Sequence, residues 1–558
     1  MVDQSSLQKE RQTYSPKLPP ALVNIAYASI LSEDHSSSSV PLPDLFPKTR
    51  DTERMVVRQE SQKLDCKPHR VGVVLSGGQA AGGHNVIVGL FDALQQRNPQ
   101  SRLYGFLNGP KGILNNEHIE LRKSCLEPYR NQGGFDLIGS GRDKIETEEQ
   151  FAAARKTVVA LQLDGLVIIG GDDSNTNAAL LAEYFAQNSI DCKVIGVPKT
   201  IDGDLRSEDV EMSFGFDTAA KTYSETISAI ARDTLSAKKY YHFIRLMGRS
   251  ASHLTLECAL QTHPNVTLIS EEVSAQKWTV RQITEYLSDV ICARAKVDKN
   301  YGVVLIPEGI LEFIPETKAL IKELNRLLNN QLPHEDELRI RHEREEKVAY
   351  VKRLLKGEAL SCYEALPLTI QTQLLLDRDP HGNVQVSKIE TERLFMDTVK
   401  DELLRRTQEG RYSSKFSAQG HFLGYEGRSC FPSNFDANYC YALGGTAATL
   451  MEAPGSGYIA FVRHLAKDVS QWEAGGAPLA PMIHLEERKG KPKPVIRKAV
   501  VDLEGQAFQS FQSQREKWAV EDAYHFVGPI QFYGPPHLTD SVPLTLVLEK
   551  RSRAHALA

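Results

Sequence analysis

Short apolar runs recur along the middle of the chain: Val71–Leu75, Leu166–Ile169, Val194–Val197, Phe243–Met247, Val266–Ile269 and Val303–Ile306. Each is four or five residues long and mostly β-branched or Leu, the pattern of strands buried on both faces. Between them, Phe151–Leu163, Ala178–Gln187 and Thr218–Asp233 read as helices. This alternation predicts an α/β fold built on parallel sheets.

The pattern changes outside that region. Residues 1–70 are rich in Ser, Pro and charge, with Ser36 to Ser39 in a row, and read as an extension without a periodic core. Regular structure is expected to begin at Val71. After Pro307, apolar residues fall at helical spacing, first Leu320, Ile321, Leu324, Leu327 and Leu328, then Val348, Val351, Leu354 and Leu355. Residues 312–407 therefore read as a mostly helical insertion, with a turn at Asp377–Gly382 and charge runs such as Glu343–Lys347 on solvated faces. An α/β-like stretch resumes at Gly420. After His484, the stretch Lys489-Gly490-Lys491-Pro492-Lys493-Pro494 reads as an exposed loop rather than a binding patch. The expected division is an extension (1–70), an α/β domain (71–237), a second α/β domain (238–311 with 408–483), the insertion (312–407) and a C-terminal segment (484–558).

Composition narrows the class. With 558 residues, 41% apolar and 25% charged, the chain fits a globular protein of several domains, which excludes a wholly disordered or fibrous one. The balance of 66 Lys+Arg against 71 Asp+Glu, a net −5, argues against coating nucleic acid. A strongly charged ligand must therefore meet local complementary charge. No apolar run approaches the roughly 18 residues needed to cross a bilayer, and the first thirty residues lack a signal-peptide pattern. The eight cysteines are scattered without a CxxC pair, which reads as reduced thiols of a cytoplasmic protein.

The chemistry follows the strands. Val71–Leu75 runs into Ser76-Gly77-Gly78-Gln79-Ala80-Ala81-Gly82-Gly83-His84-Asn85, Leu166–Ile169 into Gly170-Gly171-Asp172-Asp173-Ser174, and Val194–Val197 into Pro198-Lys199-Thr200-Ile201-Asp202-Gly203-Asp204. In open parallel sheets ligands bind at the carboxyl ends of strands, so these three loops are expected to border one crevice. Glycine pairs let backbone N–H groups approach phosphate oxygens, and the following helices present positive N-terminal dipoles. Neither the GxGxxG fingerprint nor a Walker A sequence occurs. Four carboxylates, Asp172, Asp173, Asp202 and Asp204, make sense beside phosphate if a cation intervenes or one acts as a base. Lys199 offers a point charge to a transferring phosphoryl group. Asn175, Thr176 and Asn177 read as helix caps, and His84 and His253 as structural residues.

As an ordered set, Gly77-Gly78, Gly170-Gly171-Asp172, Thr200-Ile201-Asp202-Gly203-Asp204, Met247-Gly248-Arg249 and Pro307-Glu308-Gly309 resemble the phosphofructokinases. The variants Gly-Gly-Asp-Asp-Ser and Pro-Lys-Thr-Ile-Asp-Gly-Asp are similar to the pyrophosphate-dependent branch, in its long, plant-β-like type. The resemblance covers residues 71–310 and returns at Gly424-Tyr425-Glu426-Gly427-Arg428.

It implies two Rossmann-like three-layer αβα domains, the first for pyrophosphate and Mg²⁺ and the second for fructose 6-phosphate. The implied reaction is reversible phosphoryl transfer from pyrophosphate to the C1 hydroxyl of fructose 6-phosphate. Gly77, Gly78, Gly171, Asp173 and Ser174 would line the pyrophosphate site, and Asp172 would hold Mg²⁺. Asp202 would be the base, with Lys199 and Asp204 completing the catalytic set. Thr200, Ile201, Asp202, Met247, Gly248, Arg249, Glu308, Tyr425, Glu426, Gly427 and Arg428 would bind the sugar phosphate. Lys239 and Tyr240 would reach a neighbouring subunit's site, implying at least a homodimer.

In ATP-using relatives glycines stand at the positions of Asp173 and Lys199. A carboxylate at Asp173 would crowd and repel a nucleotide's α-phosphate. Ala81 departs from the family's usual proline, which would stiffen the loop. Two alternatives stay open from the sequence: an ATP-dependent enzyme of the same superfamily, and a non-catalytic regulatory subunit.

Overall fold

A computed structural model describes residues 4–33, 40–328, 337, 338, 340–378, 383–488, 491–528 and 536–556. The serine run 36–39, the end of the expected turn at 379–382 and Lys489-Gly490 lie outside the described residues. The chain forms two compact units. One comprises Met1–Thr222, Tyr425–Ala499 and Pro529–Lys550, the other Tyr223–Gly424, Val500–Gly528 and Arg551–Ala558.

The first unit is built on a nine-stranded sheet. Its order is Ala28–Glu33, Arg54–Gln59, Glu473–Pro478, Tyr458–Arg463, Lys193–Pro198, Gly165–Gly170, Arg70–Leu75, Arg102–Phe106 and His118–Leu121. The five from Tyr458–Arg463 to Arg102–Phe106 run parallel, and antiparallel strands flank them. Gly165–Gly170 is buried along its whole length, as its unbroken apolar run requires. On one face Leu166, Ile168 and Val194 pack against Ala178, Leu181 and Phe185 of the helix Asp172–Gln187, and against Ala154 and Val158 of the helix Glu148–Leu161.

Regular structure starts well before Val71. Ala28–Glu33 and Arg54–Gln59 pair with each other and extend the sheet edge, and Phe46 is fully buried in the same core. The only apolar run in Arg54–Gln59 is Met55–Val57, too short to stand out from its charged neighbours. Of the expected loop at Lys489–Pro494, the described part from Lys491 is a strand. Ile483–Arg488 and Lys491–Ile496 form an antiparallel hairpin, a two-stranded ribbon in which Pro492 and Pro494 are tolerated because both strands are edges.

The second unit holds a four-stranded parallel sheet in the order Ala418–Leu423, Tyr241–Leu246, Gly302–Pro307 and Val266–Thr267. The run Val266–Ile269 gives only two strand residues, because Ser270 already opens a helix. The insertion is helical over Pro315–Leu328, Arg344–Leu354, Gly357–Ala365, Leu368–Leu376 and Thr391–Gln408. Leu320, Leu324, Val348 and Val351 share one core with Ile283, Leu287, Phe395 and Val399. Periodicity at 3.6 thus located the buried stripes correctly.

Residues 425–483, grouped by sequence with the second α/β domain, fall in the first compact unit. Tyr458–Arg463 pairs directly with Lys193–Pro198. The helix Asn434–Thr449 is pinned where buried Asp436 accepts the Gly215 N–H at 3.0 Å and the Thr218 N–H at 2.9 Å. The fold is α/β with two parallel-sheet units and a helical insertion.

Candidate active site

Three neighbouring parallel strands set the site in the first unit. Leu75 lies opposite Ile169, and Gly170 opposite Pro198. The Ser76 N–H donates to the Ile169 carbonyl at 2.8 Å, and the Lys199 N–H to the Gly170 carbonyl at 2.9 Å. Ser76, Gly171 and Lys199 therefore leave the sheet side by side at its carboxyl edge, where such folds bind ligands. Ser174 Oγ lies 2.8 Å from Ser76 Oγ, joining the first two loops.

Cations border the Gly77-Gly78 backbone. A Cβ on Gly77 would stand 3.1 Å from Lys199 Nζ. One on Gly78 would stand 2.7 Å from an Arg428 guanidinium nitrogen and 3.7 Å from one of Arg142. Arg428 Nε also donates to the Gln79 carbonyl at 3.3 Å, and its guanidinium lies over the ring of Tyr425, 5.2 Å from the centroid. Gly82 and Gly83 serve a different purpose. Side chains there would collide with Cys440 and Phe135, so this pair permits packing rather than phosphate contact. Ala81 is fully buried beside them.

Lys199 is buried, and burial lowers its pKa to about 8, with Arg428 and Arg142 acting in the same direction and Asp172 and Asp202 opposing. Asp172 and Asp173 open the helix Asp172–Gln187 behind Gly171. Burial raises the Asp172 carboxyl pKa, while the Lys498 ammonium at 3.7 Å counteracts it. The same ammonium lies 3.4 Å from buried Asp204. Asp173 pairs with Lys144 at 3.2 Å. Thr200 and Asp202 are half-buried, and the Asp202 N–H donates to Thr200 Oγ1 at 3.1 Å. The Ile201 side chain is buried, which leaves its backbone as the part able to meet a ligand. Tyr425 and Glu426 are exposed and Gly427 is buried.

Asn175, Thr176 and Asn177 are not caps. Gly171 occupies the N-cap position, with no side-chain cap bond. Asn175 Nδ2 instead donates to the carbonyls of Gly170 at 2.7 Å and Gly171 at 2.9 Å, clamping the turn from strand to helix. Thr176 Oγ1 accepts the Ile496 N–H of the hairpin, and Asn177 bonds both backbone groups of Ile145. Helix interiors allow such bonds when the partner lies outside the helix. His84 is buried and its pKa falls to about 4 through desolvation, a neutral structural ring, and its Nε2 accepts the Leu137 N–H at 3.3 Å. His253 is buried at the start of the helix His253–Thr262.

The second unit carries its own cluster. Glu308, which follows the strand Gly302–Pro307, is buried and accepts the Gly248 N–H at 3.1 Å. A Cβ on Gly309 would fall 1.9 Å from the Arg249 carbonyl, so glycine lets the two loops touch. Met247 is half-buried and Arg249 exposed. Lys239 is exposed and Tyr240 half-buried, just before the strand Tyr241–Leu246.

Sequence patterns missed Arg142, Lys144 and Lys498. The stretch Gly139-Ser140-Gly141-Arg142 held a turn signal beside a charge, and Gly141 in fact bridges to Ser76. Lys498 gave no local signal, since it stands some three hundred residues from the carboxylates it meets.

The family model for phosphofructokinase (PFK) matches residues 70–373, more than half of the chain. The chain belongs to the phosphofructokinase family. It is 51% identical to a protein of Treponema pallidum (strain Nichols) named pyrophosphate–fructose 6-phosphate 1-phosphotransferase, over 99% of this chain and 98% of that one. It is also 51% identical to the protein named subunit beta 1 of that enzyme in Arabidopsis thaliana, over 98% of this chain and 94% of that one. A solved structure titled pyrophosphate-dependent phosphofructokinase from Nitrosospira multiformis superposes with a TM-score of 0.54 at 16% identity. It covers 87% of this chain and 97% of that one, and shares the phosphofructokinase fold.

Phosphofructokinase-family enzymes use a divalent metal. Among the described residues no group of three His, Cys, Asp or Glu could hold one unaided. Asp172 fits a hard ion that draws most of its ligands from water and substrate, because its carboxylate is partly exposed and already faces a cation, Lys498 at 3.7 Å. Among the described residues no helix is long and apolar enough to cross a membrane.

Proposed function

We propose that this phosphofructokinase transfers a phosphoryl group reversibly from pyrophosphate to the C1 hydroxyl of fructose 6-phosphate, giving fructose 1,6-bisphosphate and phosphate. The observation that carries the reading is the buried Lys199 ammonium held against Gly77, with Arg142 and Arg428 beside Gly78. Fixed cations along an open backbone suit a small, highly charged donor that has no nucleoside to anchor it. The names of near-full-length relatives at half identity support the same donor and acceptor.

In this reading Gly77, Gly78, Gly171 and Ser174 cradle the diphosphate, and Lys199 stabilises the charge that develops on the transferred group. Asp202 accepts the proton of the C1 hydroxyl as it attacks phosphorus, and the bond to the leaving phosphate breaks. Asp204, buried nearby, supports the local field. The residues assigned to the sugar phosphate are Thr200, the Ile201 backbone, Tyr425, Glu426, Gly427 and Arg428 in the first unit, and Met247, Gly248, Arg249 and Glu308 in the second. Arg249 and Arg428 are the side chains suited to a phosphate dianion. Buried Glu308 holds the Gly248 N–H and so fixes the loop that carries Arg249. Mg²⁺ on Asp172 would neutralise diphosphate charge when bound. Asp173, at the helix N-terminus with Lys144, excludes a nucleotide donor. The reading extends to a cytoplasmic homodimer in which Lys239 and Tyr240 serve the partner's site.

A coupled assay of the purified protein with fructose 6-phosphate, Mg²⁺ and either donor tests this. Turnover with pyrophosphate and little with ATP is expected. Preference for ATP identifies the nucleotide-dependent enzyme, and silence with both identifies a regulatory subunit.

A further inference from the structure

Lys498 joins the site from far along the chain. It follows the hairpin strand Lys491–Ile496, and its ammonium stands 3.7 Å from Asp172 Oδ2 and 3.4 Å from Asp204 Oδ2. A single cation therefore spans the carboxylate assigned to the metal and the buried carboxylate of the neighbouring loop. The backbone holds it there, because the Ala499 N–H donates to the Asp204 carbonyl at 2.7 Å. The side chain also has room to leave. Lys498 lines a cavity of about 840 Å³, together with Arg54, Arg206, Asp209, Met482 and Arg497.

We propose that Lys498 is a built-in counter-ion, which neutralises Asp172 and Asp204 in the resting enzyme and must withdraw into this cavity for a divalent ion to enter. Like charges a few ångströms apart repel, so an ammonium held at Asp172 Oδ2 opposes a divalent ion on the same carboxylate. The free carboxylates are kept from repelling each other, and the metal binds only against the work of moving Lys498. Lys498 is thus a positioning residue. It acts on the carboxylates, and the inference rests on the metal assigned above to Asp172.

Mn²⁺ titration followed by electron paramagnetic resonance, without any substrate, tests this. Lys498→Met is expected to bind Mn²⁺ about tenfold more tightly than the wild type, from loss of one nearby positive charge. Lys498→Arg, which keeps the charge, should stay at the wild-type value, and Lys498→Gln carries the same expectation as methionine should that variant misfold. A dissociation constant within threefold of wild type for both neutral variants, weaker binding, or undetectable binding by all the proteins overturns the proposal. Asp172→Asn separates the two readings. If it leaves Mn²⁺ binding intact, the metal assignment is wrong, whereas the donor and acceptor are decided by the coupled assay alone.

Discussion

Lys199, which follows the strand Lys193–Pro198, reaches past the intervening strand Gly165–Gly170 to lie against Gly77, its Nζ only 3.1 Å from where a Cβ on that glycine would stand. Gly77 also has φ +86°, a conformation that L side chains rarely adopt. The residue is thus doubly constrained, by its own backbone and by the cation it must admit. Gly77→Ala is expected to cost about 1–2 kcal/mol of stability from the left-handed backbone, and to displace Lys199. Thermal unfolding should show the first effect. A drop in kcat/KM for pyrophosphate, larger than that for fructose 6-phosphate, should show the second.

Lys199 also sets a pH limit. Burial holds its pKa at about 8 against an ordinary 10.5. Below pH 8 the ammonium is present, and as pH rises through 8 the proton leaves. The rate constant kcat/KM for pyrophosphate should therefore fall on the alkaline side with a midpoint near 8, a limb absent in Lys199→Met and moved upward in Lys199→Arg. Stability responds with the opposite sign. The unfolded chain keeps this proton to about 10.5, so the group's contribution to folding rises between pH 8 and 10.5. A flat profile across pH 7–9 would remove Lys199 from the reaction.

The proposed discrimination between donors rests on Asp173. Its carboxylate pairs with Lys144 at 3.2 Å in the first turn of the helix Asp172–Gln187. Asp173→Gly should raise kcat/KM for ATP relative to pyrophosphate, because it removes charge and bulk from the path of a nucleotide's α-phosphate. Unaltered donor preference would assign exclusion of ATP to other residues.

Asn175 holds the turn that carries both aspartates. Asn175→Ala removes two hydrogen bonds and leaves the Gly170 and Gly171 carbonyls without their side-chain partner. A loss of about 1–3 kcal/mol is expected, read by denaturant unfolding. Gly196→Ala tests the same contact from the other side, since its Cβ would meet Asn175 Oδ1 at 2.0 Å. Both variants should lower stability and pyrophosphate turnover together. Wild-type stability in both would mean that the clamp is dispensable.

The buried parallel strands were legible because their side chains face hydrophobic layers on both sides, which leaves an unbroken apolar run. Val71–Leu75, Leu166–Ile169 and Val194–Val197 all lie within strands. The insertion's stripes were legible for the same reason at helical spacing. Elements near the sheet margin and in the hairpin were not. Arg54–Gln59 and Lys491–Ile496 owe their extended form to the strands they pair with, and proline or charge along them masks the pattern.

The sequence by itself determined the strand–helix alternation, the three loops that follow its parallel strands and the residue types that phosphoryl transfer needs, because each is written in contiguous residues. Only the tertiary structure decided that strands of the first seventy residues close one edge of the main sheet, that Asn175 clamps rather than caps, and that Lys498 faces Asp172 and Asp204. Contacts between residues hundreds of positions apart depend on sheet order and loop path. Local propensity carries no record of either.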